Sequence, residues 1–573
     1  MTTTDALVST GEPLPVASRI FHIPELLHLI FSFLDKKSNV SSACVCKFWS
    51  DIALDAVWRE VDDLIQLLSI LNPVFMSVAG AYPITQQFED IPGVSDWSRF
   101  HKYARRVRCL RFDSSSIEGE VEVVLDDVAR TRTSFEILPN LRELVWTCRA
   151  LSDLQRCLLF LHGRLKYLTV SLWSHLGEPG PLLTDICARA PNLHTLKLHV
   201  KDPNMQMLGQ IQVVVRNLHH LRKIVLPEFR FTSEVIQELS RMPNLGVIEF
   251  QHDLAMGPGN PKNVERFVPV LTAGAFPALY DLNLTARIDD LEGFFQSSFA
   301  PINITTLYVN SYAKHSPAEV RSFLLTLSQE CKHLSRLHVI LLDKDINQTT
   351  CIEDEQLSFC TLQPLFSIPN LTWFEVIHKY PLRITQNEIE ELASRLPSLE
   401  ALELNPEPLL TSKSTLDLEA LLPFANHCPK LRYLGLFMRA TGFEVPLARA
   451  SFKPFHALQV LNVGTSKVES PKAVAAFLSL FFPPWCRLQF GITWTGRGTM
   501  EHRSLDLNIL LELSQGVDPW EEISTLLPAL IQVRREEWER TRALKEEVED
   551  LRIRTRLVRD TAGRVPRDSC VVS

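Results

Sequence analysis

The sequence predicts an α/β chain: a small helical module at the N-terminus, then an irregular solenoid of repeats with a parallel inner sheet and outer helices, and a helix at the C-terminus. Three observations carry this. A short pattern, L-x-x-L-x-L, recurs thirteen times between residues 107 and 463. Segments of helical period stand between its copies, and a stretch near the N-terminus is too apolar for one face of one helix.

That stretch runs from Arg19 to Glu60. Between Pro24 and Leu34 seven of eleven residues are apolar. Leu27, Ile30, Phe31 and Leu34 satisfy the i, i+3, i+4, i+7 stripe of a surface helix, so Leu26, Leu29 and Phe33 point elsewhere. A unit of about forty residues lies near the limit for burying a core alone, and surplus apolar surface predicts docking. Pro24 suits the first helical turn and Glu25 sits where the helix dipole favours an anion. Asp35-Lys36-Lys37 ends this helix, and Ser38 or Asn39 is placed to cap a second. A third runs from about Lys47 through Trp49 and Ile52, and Trp58 closes the module.

Ile-Pro-Glu-Leu-Leu at 23–27, Ile30-Phe31-Ser32-Phe33-Leu34-Asp35, Val45-Cys46-Lys47-Phe48-Trp49 and Val57-Trp58 together resemble an F-box, the three-helix module that binds the small Skp-type adaptor of cullin-RING ubiquitin ligases. Position 23 departs from the family, which usually has Leu there; Ile keeps size and polarity. The resemblance implies that Pro24, Leu26, Leu29, Ile30, Leu34, Val45 and Trp49 contact the adaptor, with Trp49 and Trp58 equally placed to serve the module's own core. Leu27, Phe31 and Trp58 are the candidates for the side facing the rest of the chain.

At 573 residues the chain exceeds what one core serves. Its 67 acidic and 59 basic residues give a net charge of −8, which argues against nucleic acid as a partner. No apolar run reaches the roughly 20 residues needed to span a bilayer, and residues 1–18 lack the basic start and apolar core of a signal peptide. Twelve cysteines without paired CxxC spacing read as free thiols of a reducing compartment, cytoplasmic or nuclear.

After a connecting segment at 61–104 the pattern begins, its copies starting at 107, 141, 165, 193, 221, 245, 279, 304, 334, 371, 399, 431 and 458. The average step is about 29 residues, within the range of leucine-rich repeats. Each copy ends in alternating residues, the signature of a strand with one buried face. Helical segments are expected at Val264–Thr272, Pro317–Glu330, Gln386–Arg395, Leu416–His427 and Pro471–Phe481. A lone strand and helix cannot bury both apolar faces, so the units stack. Thr385-Gln-Asn-Glu388 is a capping box, and the Pro of Pro-Asn-Leu or Pro-Ser-Leu at 139, 191, 243, 369 and 397 stops a helix before the next strand. The resemblance to leucine-rich repeat proteins covers roughly 105–490 and is loose. Steps vary from 24 to 37, and the usual Asn after the strand is replaced by Arg149, Trp173, Lys201, Phe229 and Asp253.

In such an array the strand face and the loops above it bind targets. Arg142, Lys166, Lys197, Arg222, Arg336, Trp373, Glu375 and Glu403 are the candidates, basic in the early repeats and acidic in the later ones, as a target with separated charges would require. No phosphate-binding, dinucleotide-binding or nucleophile-elbow motif occurs. Cys331 with His333, and His427 with Cys428, lack a second pair at zinc spacing, so neither metal nor cofactor nor catalytic residue is expected.

From Pro519 to about Val558 a charged helical pattern follows, as a cap or tail within 496–560. Leu544, Val548, Leu551, Thr555 and Val558 keep heptad spacing for two heptads at most. Within the tail at 561–573, Cys570-Val571-Val572-Ser573 has the form of a C-a-a-X box, which directs prenylation of Cys570, with nearby arginines as the second signal for an anionic membrane. Two expectations result. The first is a non-catalytic substrate receptor, the F-box on a Skp-type adaptor and cullin scaffold and the solenoid, 105–495, on a protein target. The alternative is a ligase-independent scaffold held peripherally at a membrane through Cys570.

Overall fold

The computed structural model describes residues 23–77, 85–114, 119–147, 151–172, 180–200, 207–251, 259–342, 353–409, 414–440, 453–492 and 517–562. The lead and the tail with Cys570 lie outside the described residues. Every copy of the pattern is a strand that begins two residues after the copy's first apolar position. The second and third apolar positions of each copy point inward and are buried. Period-2 alternation thus sets the register of the sheet.

The chain divides into two units, one running to Val264 and including Pro269–Leu279, the other comprising Glu265–Val268 and the chain from Tyr280. The first unit opens with three helices, α1 Pro24–Ser32, α2 Lys36–Ala43 and α3 Lys47–Arg59, followed by strand β1 Glu60–Val61 and an antiparallel hairpin of β2 Val74–Ser77 and β3 Thr85–Phe88. The pattern strands of this unit are β4 Cys109–Asp113, β5 Glu143–Thr147, β6 Tyr167–Leu172, β7 Thr195–Val200, β8 Lys223–Pro227 and β9 Val247–Gln251. They are parallel in chain order, with β1 on β4 at the edge. The sheet therefore starts at Glu60, ahead of the first L-x-x-L-x-L copy.

The second unit has β10 Asp281–Thr285, β11 Thr306–Ser311, β12 Arg336–Leu341, β13 Trp373–His378, β14 Ala401–Leu404, β15 Tyr433–Leu436, β16 Arg439–Ala440, β17 Val460–Gly464, β18 Lys467–Val468 and β19 Arg487–Phe490. All but β16 and β18, which pair with each other, form a parallel sheet in chain order. Helices Pro317–Glu330 and Gln386–Arg395 lie where the sequence places them, each behind a capping box. Leu416–His427 is split into a turn of 3-10 helix at Leu418–Ala420 and a helix at Leu421–His427, and the next helix ends at Leu478.

The helix expected at Val264–Thr272 does not form; a 3-10 turn at Pro261–Val264 gives way to irregular chain. Pro269 explains this, because it lacks an N–H and pushes Val268 out of the helical region.

Repeats are tied by a device that the sequence shows without explaining. In Pro-Asn-Leu the Asn amide donates to a backbone carbonyl of the preceding repeat: Asn140 to Arg105 and Asn192 to Gly163, both at 2.8 Å, Asn244 to His219 at 2.8 Å and Asn370 to Lys332 at 3.2 Å. Replacing Asn192 with Ala removes one such tie, and the denaturant midpoint should report a loss of about 1 kcal/mol. Asn405, at φ +46°, accepts from the His378 N–H and donates to the Tyr380 carbonyl, the work expected of the missing repeat Asn. Gly464 is at φ +49°, where a Cβ would stand 1.9 Å from the Pro406 carbonyl oxygen, so the turn after β17 admits only glycine.

The long helix Val517–Ala562 does two things. Its first turns pack Trp520, Ile523, Leu527 and Ile531 onto the last repeats, while Trp538, Leu544, Val548 and Leu551 are exposed. The solvated part is supported by i, i+4 ion pairs such as Arg535–Glu539 and Arg542–Glu546. Among the described residues no helix is long and apolar enough to cross a membrane.

Candidate functional site

Three helices of the first unit carry many exposed apolar side chains. In α1, Leu27 and Phe31 are buried against Ile52 and Ala53 of α3, with Ala43, Trp49 and Ala56 closing the edge of this small core. Phe31 meets Trp49 edge-on at 5.7 Å. Trp49, placed by sequence for either core or docking, thus packs on the module's interior, half-buried. Trp58 packs edge-on at 5.5 Å against Tyr103.

The turn between α1 and α2 is fixed by two side chains. Asp35, and not Ser38 or Asn39, caps α2 by accepting from the Ser38 N–H at 2.7 Å. Hydrogen bonds from the Ser38 side chain and backbone hold the Asp35 carboxyl below the usual carboxylate range. Asn39 serves the preceding helix instead, being buried with its amide donating to the carbonyls of Phe31 and Leu34 at the end of α1. At the other end, Arg106 grips α3 through the Asp51 carbonyl at 2.7 Å and the carboxylates of Asp51 and Asp55.

With this interior filled, what remains outside is large and apolar. Leu26, Leu29, Ile30, Leu34 and Val45 are exposed, as are Ile23, Phe33 and Phe48; Leu29 is 55% and Phe33 81% accessible. Pro24 is exposed at the start of α1. Six of the seven residues proposed for adaptor contact therefore stand on the surface, with Trp49 behind them. So many large apolar side chains outside a filled core are unusual on a solvated surface.

The eight candidates for target contact separate into three groups. Arg336, Trp373, Glu375 and Glu403 are neighbours on β12, β13 and β14: Arg336 pairs in register with Trp373, and Glu375 with Glu403. Arg336 lies 4.5 Å from the centre of the Trp373 ring, which also packs against His338 and Tyr433. Glu375 is buried and within 2.6 Å of His338 Nδ1, and Tyr308 stacks on the other face of His338. The Trp373 indole N–H is buried without a hydrogen-bond partner among the described residues. In the first unit Lys197 is spent on Gln251, and Lys223 pairs with Glu249.

Arg142, Lys166 and Arg222 are the correction. They do not lie on the strand face but one residue ahead of β5, β6 and β8, before the pleat begins to alternate.

The cysteines weighed as zinc ligands are core residues. Burial pushes the thiols of Cys331 and Cys428 up to about 12, and Cys428 Sγ donates to the carbonyls of Ala393 and Leu396. His427 bonds Glu390 instead. Among the described residues no group of three or more His, Cys, Asp or Glu is placed to hold a metal ion.

Comparison with known proteins agrees with the helical module. The F-box-like family model matches residues 24–63, which span α1 to α3 and β1. No curated protein matches the chain. Among solved structures, a chain of "Crystal structure of Rad7 and Elc1 complex in yeast" aligns at 14% identity and a TM-score of 0.31, covering 80% of this chain and 92% of that one, a likeness too loose to bear on function.

Proposed function

We propose, from the premise that this chain carries an F-box-like domain at residues 24–63 followed by repeats that resemble leucine-rich ones, that it is the substrate-recognition subunit of an SCF-type cullin-RING ubiquitin ligase. The F-box docks a Skp-type adaptor and the repeats hold a protein target. The observation that carries this reading is the filled interior of the module beside its exposed Leu26, Leu29, Ile30, Leu34 and Val45, which have no use inside this unit.

The contribution of such a subunit is proximity. Holding a target beside a ubiquitin-charged enzyme raises the effective concentration of its lysines, and no catalytic group is needed here. In this reading exposed Arg336 with half-buried Trp373 and Glu403 form one target contact, behind which buried Glu375 holds His338.

Affinity purification of the full chain from cells tests the reading. Recovery of both a Skp-type adaptor and a cullin is the expected result. An adaptor recovered repeatedly without a cullin overturns the receptor in favour of a ligase-independent scaffold.

A further inference from the structure

Six successive strands of the first unit enter the sheet on a basic residue. Arg59, Arg108, Arg142, Lys166, His194 and Arg222 stand immediately before β1, β4, β5, β6, β7 and β8. The backbone proves that they are in register. The Arg108 N–H donates to the Arg59 carbonyl at 2.9 Å, and each following member donates to the one before it at 2.8 Å, until Gly246 ends the row on Arg222. Strands about 4.8 Å apart make this a row of roughly 24 Å.

The fold does not ask for bases there. In the second unit the same position holds Tyr280, Thr305, Ser335, Thr372, Glu400, Arg432 and Gln459. The hydroxyls of Thr305, Ser335 and Thr372 simply return a hydrogen bond to the preceding carbonyl. Nor does composition supply them, since the chain as a whole is acidic at −8.

Only part of the row is satisfied: Lys166 Nζ donates to the Asn192 carbonyl at 3.3 Å, and Arg108 donates to the Arg105 carbonyl at 2.7 Å with the Asp55 charge near it. Arg111 takes Glu60, Asp62 and Glu143, and Arg106 takes Asp51 and Asp55. Arg59, Arg142 and Arg222 are exposed, and among the described residues their side chains make no ion pair or hydrogen bond. The members feel one another: burial and then Arg142 lower the proton affinity of Arg108, and burial and then Lys166 and Arg222 lower that of His194. The first two members line an open cleft of about 920 Å³ that is walled largely by residues 28–62 and also holds Asp55, Glu60 and Asp62. The arginines and the lysine of this row, aligned at such cost to one another, mark a site for an opposite charge.

We propose that this row docks an extended acidic segment of a partner protein, its charges supplied by carboxylates or by phosphorylated hydroxyls. Calling that partner a ubiquitination target rests on the receptor reading; the docking itself does not. A peptide fits better than nucleic acid for two reasons. The row is one residue wide, with no Phe, Tyr or Trp among its six members on which a base would stack, and the sequence pI is about 6.1, far from the basic surface of a nucleic-acid binder.

Fluorescence anisotropy on the full-length protein tests this with labelled peptides of alternating Glu and Ser, the same peptide with phosphoserine for Glu, a Gln-Ser control, and an oligothymidylate of matched charge. Both acidic peptides should bind and the Gln-Ser control should not; the ratio of the two affinities identifies carboxylate or phosphate as the natural source. Arg142→Glu with Arg222→Glu should weaken binding by about tenfold or more, and Arg432→Glu, at the matching position of the second unit, should change nothing. The milder pair Arg142→Gln with Arg222→Gln should fall between, which secures the result if the reversal disturbs folding. Absence of binding to both acidic peptides, binding indifferent to the row variants, or an oligothymidylate that outcompetes them through the same residues overturns the proposal. Adaptor recovery by the wild-type chain keeps the two readings apart: peptide binding without any adaptor refutes the receptor and leaves the row standing.

Discussion

Leu26→Glu combined with Leu29→Glu abolishes recovery of the Skp-type adaptor and leaves the thermal unfolding of the chain unchanged. Both side chains are exposed, so the free protein loses no core contact. Removing a large apolar side chain from a protein contact costs about 1.5–3 kcal/mol, and a carboxylate left facing an apolar partner adds to it. Two such changes therefore weaken the complex by roughly a hundredfold to ten-thousandfold. Leu27→Ala, one residue along, behaves differently. It opens a cavity against Phe31, Ile52 and Ala53 and costs about 2–5 kcal/mol, so the module itself melts and adaptor loss follows from unfolding. Adaptor recovery unaltered in the double glutamate variant, with its fold confirmed by circular dichroism, refutes the docking face.

The contrast between neighbouring leucines is legible in the sequence, because helical period separates Leu27 and Phe31 from Leu26 and Leu29. So are the thirteen strands of the pattern and their register, since two buried positions per strand leave no freedom to slip. What the sequence hides has local causes. Glu60–Val61 is a strand only because β4 lies beside it, and two residues carry no period. Arg487–Phe490 keeps the spacing, with Leu488 and Phe490, but opens on Trp485 in place of an aliphatic residue, and it pairs with β17. Asp35 reads as a stop for α1 when it is the cap of α2, because a tight turn lets one residue serve both ends. The Asn of Pro-Asn-Leu looks like turn punctuation, and its partner lies 25 to 38 residues away, beyond any local signal.

The basic row shows the same limit from the functional side. Arg142, Lys166 and Arg222 stand out in the sequence as variable charges, yet Arg59 and Arg108 do not, since the first belongs to a helix end and the second to a copy that begins on Val107. Only the backbone ladder puts all six in one line. Position relative to the pleat, one residue ahead of it, decides that they face the strand-entry edge and leaves the face itself to Trp373, Glu375 and their neighbours.

At the other end of the array, Trp520→Ala strips the cap and loosens the last repeats first. Trp520 is fully buried and its indole N–H donates to the Ser466 carbonyl at 2.7 Å; Ile523, Leu527 and Ile531 continue the same face, and Arg534 holds Ser479 Oγ at 2.6 Å. Losing a buried Trp costs about 3–5 kcal/mol, and the orphaned carbonyl adds about 1–3 kcal/mol. A solenoid repeat is held by its neighbours alone, so the loss falls on the residues the helix covers, Val460–Gly464 to Arg487–Phe490 and helix Pro471–Leu478. Hydrogen exchange read by mass spectrometry should show protection falling across 453–492 while β4 to β9 keep theirs. Trp520→Phe retains most of the packing and loses chiefly the bond to Ser466, so its effect is about 1–3 kcal/mol. Leu544→Ala, on the solvated part of the same helix, stays within about 0.5 kcal/mol. Equal protection in wild type and Trp520→Ala would mean that the helix lies on the array without capping it.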